Sequence, residues 1–267
     1  MTEPVVLRSE REGVLELVLN RPAKLNALTN EMFGIIRAAV NDLRDRDDLR
    51  VMLIRATGRY FCAGVDQVQD RNGTASPSDS PAAVRAFMRV PMGNGMHALY
   101  EEMERVEKPI VVAHHATCVG GGLEMSLSCD FRLAARSASY SFPEMAFAML
   151  PLSGGVSRLT RICGPHWARW MVVANEPVPA ERALTMGLVH DVYPDESFEE
   201  DVWNFCARLA SKPREAVAAG LLAIELATDL PSDQSRQVER LTYSSLAFTK
   251  DFLDQHTRLR RKLGGDS

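Results

Sequence analysis

Two short stretches carry residue types that can move a proton beside a carbonyl: Cys118-Val-Gly-Gly-Gly-Leu-Glu124 and Ser141-Phe-Pro-Glu144. The apolar run Ile110-Val-Val-Ala113 ahead of the first reads as a buried strand, and the three glycines as a turn opening a helix. Glycine lets backbone N–H groups approach a ligand closely, and a helix N-terminus adds the positive end of its dipole. Such donors favour developing negative charge, as on an enolate oxygen. Glu124 falls in the first helical turn beside them, and Glu144 offers a second carboxylate. Oxyanion donors flanked by two carboxylates make a proton-transfer site next to a carbonyl.

Taken singly, each motif has a plainer reading. The glycine triplet also suits close helix–strand packing, Glu124 also complements a helix dipole, and Pro143-Glu144 also reads as an ordinary helix start. The missing third glycine of GxGxxG argues against a dinucleotide site, and no Walker A pattern occurs. Leu152-Ser-Gly154 only grazes a nucleophile elbow, because Pro151 stands where the first glycine belongs, so Ser153 reads as a turn residue. His114 and His115 are neighbours on a strand, point to opposite faces and cannot share a metal; one of them should be buried and hydrogen-bonded. Cys62 and Cys118 read as small apolar filler, and Met88, Met92, Met96, Met145 and Met149 as core.

The elements that must position these groups are legible as alternating strand and helix. Val14–Leu19 reads as a strand ended by Asn20-Arg-Pro22, and Val51-Met-Leu-Ile54 as another ended by Gly58. Between them a helix opens at Thr29, with Met32, Ile35, Ile36, Ala39, Val40 and Leu43 at helical spacing. A small-and-polar stretch, 72–81, reads as a mobile loop, and a strand is expected near Phe131–Ala134. The alternation runs to about Ser157 and argues for a largely parallel sheet with helices on its faces. Beyond Val189 the pattern turns helical: 197–210, 214–228, and a long segment ending in Arg258-Leu-Arg-Arg-Lys262. The expected division is an α/β core over 1–195 and a helical region over 196–267.

The chain of 267 residues can bury a sizeable core without staples, and a formal charge of −4 recruits neither nucleic acid nor an anionic membrane. Five cysteines without a CxxC pair read as reduced thiols. With no signal-like start and no long apolar run, a cytoplasmic location is expected.

The full set of motifs resembles the crotonase (enoyl-CoA hydratase/isomerase) superfamily. The resemblance rests on Leu19-Asn-Arg-Pro22 with Leu25-Asn-Ala-Leu28, Phe61-Cys-Ala-Gly-Val-Asp66, Gly120-Gly-Gly-Leu-Glu124, Cys129-Asp130 and Pro143-Glu144. Gly154-Gly155, Arg158-Leu159, Ala183 and Gly187-Leu-Val189 extend it along nearly the whole chain, in order. The resemblance implies a ββα spiral core, and a trimer or hexamer (a dimer of trimers) held by the C-terminal helices. It implies Val65 and Gly121 as the oxyanion-hole donors and Glu124 and Glu144 as the catalytic pair. Lys24, Leu25, Ala63 and Asp66 would line the coenzyme A groove.

The chain departs from the pattern at Val65, where alanine is more usual, at Phe147-Ala148, at Pro151-Leu-Ser-Gly-Gly-Val-Ser157 and at His114-His115-Ala116. The implied reaction is reversible syn addition of water to a trans-2-enoyl-CoA, giving a 3-hydroxyacyl-CoA. No metal and no separate cofactor is expected, since coenzyme A is part of the substrate. Alternatives on the same site are double-bond isomerisation, C–C or thioester cleavage, and a non-catalytic acyl-CoA binder.

Overall fold

The computed structural model describes residues 3–66, 80 and 95–263, so Met88, Met92 and all of the 72–81 stretch except Ser80 lie outside the described residues. Strands β1 (Val6–Arg11) and β2 (Val14–Leu19) form a hairpin whose two-residue loop, Glu12-Gly13, has positive φ at both positions. That geometry matches the twist of the strands it joins. Helix α1 (Asn30–Asp45) opens where expected, with the Thr29 hydroxyl accepting from the Met32 N–H at 3.3 Å. It buries Met32, Phe33, Ile36, Ala39, Val40 and Leu43 and returns the chain to β3 (Val51–Ala56), parallel to β2.

From β3 onward each turn supplies one strand to each of two sheets. After β3 the chain bends at Gly58 into β4 (Tyr60–Cys62); β5 (Ile110–His114) is followed by β6 (Thr117–Val119), and β7 (Phe131–Ala135) by β8 (Ser139–Ser141). With β9 (Val178–Pro179) and β10 (Asp191–Tyr193), the orders are β1-β2-β3-β5-β7-β10 and β4-β6-β8-β9. This is the expected α/β spiral, built on two sheets. The bend at Gly58 has φ +82, and a Cβ there would lie 2.5 Å from Pro22 Cβ, so glycine is required.

The larger sheet is covered on both faces, which explains its continuous apolar runs. Leu15, Leu17, Leu19, Met52, Ile54, Ile110 and Val112 join the main core with α1. Val14, Val51, Leu53, Val111 and Leu133 pack instead under Phe198, Val202 and Cys206 of a later helix (Phe198–Ala210). Helices α2 (Met96–Glu104), α3 (Gly121–Leu127), α4 (Gly155–Ala168) and α5 (Ala180–Thr185) fill the spiral, and the helix over Phe198–Ala210 is α6.

Three more helices follow: α7 (Arg214–Asp229), α8 (Ser232–Leu246) and α9 (Lys250–Leu263), none with a buried residue. The single long segment expected at the end is therefore two helices. Thr249 Oγ1 accepts from the Phe252 N–H at 3.3 Å where the second begins. Met96 packs against the core, but Met149 is exposed, because it follows a positive-φ turn at Ala148 that carries residues 146–150 to the surface. All five cysteines are buried and unpaired. No helix among the described residues is long and apolar enough to cross a membrane.

Candidate active site

The short strands of the smaller sheet bring the two sequence motifs together. Ser141, at the end of β8, accepts the Gly120 N–H at 3.1 Å, so the glycine turn lies against the strand that leads to Glu144. Gly120 has φ +52, and a Cβ on it would lie 2.7 Å from Glu144 Oε1. Only glycine leaves room there for the carboxylate. Pro143 opens a 3-10 turn (Pro143–Phe147) that presents Glu144 half-buried.

The two proposed oxyanion donors converge on the same turn. Leu28 donates to the Gly64 carbonyl at 2.8 Å and accepts from the Asp66 N–H at 2.9 Å, which turns the Val65 N–H away from Leu28. A Cβ on Gly121 would lie 3.4 Å from Val65 N and 2.7 Å from Val65 Cγ2, and one on Gly64 would lie 3.6 Å from Gly121 N. Gly121 is the first residue of α3, so its N–H has no carbonyl one turn back to bond. The Tyr100 hydroxyl donates to the Gly121 carbonyl at 2.8 Å from within the core.

Glu124 is only 3% exposed, and its Oε1 accepts the Ser153 N–H at 2.6 Å. Burial pushes its carboxyl up to about 7; the Ser153 N–H opposes that rise, the Glu144 charge adds to it, and the Gly155 N–H and the more distant Arg158 charge oppose it again. Burial also raises Glu144, whose Oε2 is enclosed with no hydrogen-bond partner among the described residues. Ser153 is more than the turn residue its sequence context indicates. Its N–H holds Glu124 while its carbonyl accepts from Arg158, which in turn pairs with both oxygens of Glu104 at 2.6 Å. Nothing in a Pro-Leu-Ser-Gly-Gly string encodes that link; the Arg one turn into α4 is its only trace.

The residues expected to line a coenzyme A groove come from two segments, 24–25 and 63–66, joined by a backbone hydrogen bond. The Ala63 N–H donates to the Leu25 carbonyl at 3.0 Å, and Lys24 is exposed. Leu25 and Asn26 both have positive φ, and the buried Asn26 amide holds that bend by donating to the Thr57 and Tyr60 carbonyls. Asp66 faces Arg21 at 3.1 Å. His114 is the buried member of its pair, hydrogen-bonded at both ring nitrogens, while His115 Nε2 faces the Gly58 carbonyl. Burial raises the thiols of Cys62 and Cys118, in keeping with inert filler. Among the described residues no group of His, Cys, Asp and Glu is placed to hold a metal.

Comparison with known proteins places the chain in a family. The family model for enoyl-CoA hydratase/isomerase matches residues 9–258. The chain is 29% identical to a crotonyl-CoA hydratase of Syntrophomonas wolfei over 250 residues, covering 93% of this chain and 92% of that protein. It is 28% identical to a 1,2-epoxyphenylacetyl-CoA isomerase of Escherichia coli, covering 91% and 89%. The crystal structure of an enoyl-CoA hydratase from Bacillus anthracis superposes with a TM-score of 0.87 at 27% identity, over 97% of each chain. The chain belongs to the enoyl-CoA hydratase/isomerase family.

Proposed function

We propose that this chain is an enoyl-CoA hydratase and that Glu124 and Glu144 act on one water molecule between them. The observation that carries this reading is the placement of two carboxyls with raised pKa, Glu124 buried and Glu144 half-buried, beside the glycine turn where the Val65 and Gly121 backbones approach each other. The N–H groups of Val65 and Gly121 would hold the thioester oxygen. As the water oxygen attacks C3, Glu124 takes its proton and the C2–C3 π electrons move toward the thioester, forming an enolate at those donors. Glu144 then delivers a proton to C2, completing net addition of water, and the proton held by Glu124 passes to Glu144 through the next water to restore the starting state. Backbone N–H groups on Glu124 favour its anion, which suits a base. Glu144 Oε2, enclosed and without a hydrogen-bond partner among the described residues, is better tolerated protonated, which suits an acid. The thioester itself is the electron sink, so the scheme calls on no further cofactor.

Coenzyme A would lie along Lys24, Leu25, Ala63 and Asp66. The apolar side chains Ile224, Leu241, Phe248 and Leu263 of the last helices and the segment joining them are 69%, 72%, 86% and 76% exposed in a single chain. We assign them to packing on neighbouring copies in a homotrimer or a dimer of trimers, checked by light scattering. Isomerisation on the same site is the second reading, favoured by the isomerase among the relatives.

The test is loss of the enoyl-thioester ultraviolet band on mixing with crotonyl-CoA and longer 2-enoyl-CoAs. It is paired with incubation of a 3-hydroxyacyl-CoA in ¹⁸O-labelled water. Hydration predicts oxygen exchange at C3 with the thioester intact. Double-bond migration without such exchange moves the assignment to an isomerase, labelled free acid moves it to a thioesterase, and no reaction leaves a binder.

A further inference from the structure

Behind the glycine turn lies a polar chain that no step above uses. His114, Ser126 and Tyr140 are all fully buried, on β5, α3 and β8 respectively. The Ser126 hydroxyl donates to the Gly122 carbonyl at 2.8 Å, which commits its only proton. The 2.8 Å contact between Ser126 Oγ and His114 Nε2 therefore has the imidazole donating. Burial pushes His114 down to about 3, the Arg132 and His115 charges add to the shift and a hydrogen bond with the Leu133 backbone opposes it, so the ring is neutral; with its proton on Nε2, Nδ1 is an acceptor. Tyr140 Oη, 3.2 Å away, donates to it. In that tautomer the hydrogen bonds run one way, from Tyr140 through His114 and Ser126 to Gly122. Phe61 and Tyr140 meet the imidazole edge-on at 4.6 and 5.1 Å and hold its plane.

The turn has reason to be held in this manner. Three successive glycines carry no side chains through which packing could orient their peptides, and α3 spans only Gly121–Leu127. Yet the carbonyls of two of them are gripped by buried hydroxyls, Gly121 by Tyr100 and Gly122 by Ser126. Catalytic donors act fully only when fixed before the charge develops, and an aligned network of buried hydrogen bonds supplies that stiffness. We propose that Tyr140, His114 and Ser126 form a positioning chain that fixes the peptides of the glycine turn and so aims the Gly121 N–H at the thioester oxygen. This inference rests on the oxyanion role given to that N–H above.

The test compares wild type with H114V/S126A/Y140F, in which all three partners become apolar and the weak Cys118 Sγ–Ser126 Oγ contact at 3.7 Å goes with them. Each is mixed with butyryl-CoA carrying a ¹³C-labelled thioester carbonyl, and the infrared band of the bound carbonyl is read beside Tm, coenzyme A affinity and kcat. The expected result is a folded variant with unchanged coenzyme A binding, whose carbonyl band moves back toward its solution value. Its kcat should fall roughly tenfold, less than the ~10²–10³ that follows loss of a donor itself. His114→Gln, whose amide can donate to Ser126, should keep the band and stay within about twofold of wild-type kcat.

A folded triple variant with the wild-type band and full kcat overturns the positioning role. Should the triple variant not fold, Ser126→Ala set against His114→Gln decides the same point on the same band. A wild-type band that does not shift on binding removes the oxyanion hole and this inference with it. A shifted band that depends on the chain, in an enzyme that hydrates no enoyl-CoA, upholds the inference and overturns only the hydratase.

Discussion

In the glycine turn an added methyl group has nowhere to go, whereas in the terminal helices there is room to spare. A Cβ on Gly121 would lie 2.7 Å from Val65 Cγ2; one on Gly220, in α7, meets nothing within 4 Å. The turn is enclosed by buried and partly buried side chains, while α7, α8 and α9 bury none. The residues proposed for proton transfer all lie in the spiral, and the terminal helices are left with apolar faces that a single chain does not cover. Rigidity is concentrated where proton transfer is proposed, and surface for association where it is not.

The sharpest way to break that contrast is to remove the chemistry from the enclosed side. Glu124→Gln and Glu144→Gln should each lower kcat by about 10²–10⁴-fold, the usual contribution of an acid–base partner, with little change in KM. Steady-state rates on the best enoyl-CoA give the answer, and near wild-type turnover in either variant takes that residue out of the proton path. Light scattering on both should report an unaltered assembly.

Next in size is Gly121→Ala. The new methyl would displace the Val65 side chain and spread the two N–H donors, so kcat should fall about 10²-fold, within the range for loss of an oxyanion donor. Coenzyme A affinity, measured by calorimetry, should hold. If kcat instead stays at the wild-type level, the two N–H groups are not the oxyanion hole.

The third prediction sets activity against stability through one ionisation. Glu124 as base must be ionised, so kcat/KM should fall as pH drops through about 7. Stability runs the other way. The folded pKa is raised from 4.5 to about 7, so the stabilising contribution is complete below about 4.5 and is lost as pH rises through 7. That rise, at ~1.4 kcal/mol per tenfold change in proton affinity, bounds the penalty at ~3 kcal/mol. Glu124→Gln cannot ionise, so its Tm should exceed wild type at pH 8 and converge with it at pH 5. Equal Tm differences at both values would mean that Glu124 is not the strained group.

The two regions also differ in how much could be read from sequence. Strands over 14–19 and 110–114 and the Thr29-capped helix were legible because their periodicity is long and their caps are local. So were the glycine turn and Glu124 in its first turn, where residue types alone define the backbone. The smaller sheet was not legible, since strands of two or three residues carry no period. The Ser153 N–H on Glu124 and the Tyr140–His114–Ser126 chain were missed because they join residues 29, 26 and 12 positions apart. The break between α8 and α9 went unseen because no Gly or Pro marks it.

The smallest predicted effect probes the open side with the substitution used on the enclosed one. Gly220 sits inside α7 with ordinary helical φ and no neighbour near its Cβ direction. Alanine there removes backbone freedom from the unfolded chain and adds helix propensity, a gain of roughly 0.5–1 kcal/mol with no clash to offset it. Gly220→Ala should therefore raise Tm slightly and leave kcat, coenzyme A affinity and particle mass as they are. A lower Tm together with a smaller particle would mean that a neighbouring copy packs onto that position. The terminal helices would then be as tightly fitted as the glycine turn once assembled, and the contrast would belong to the isolated chain alone.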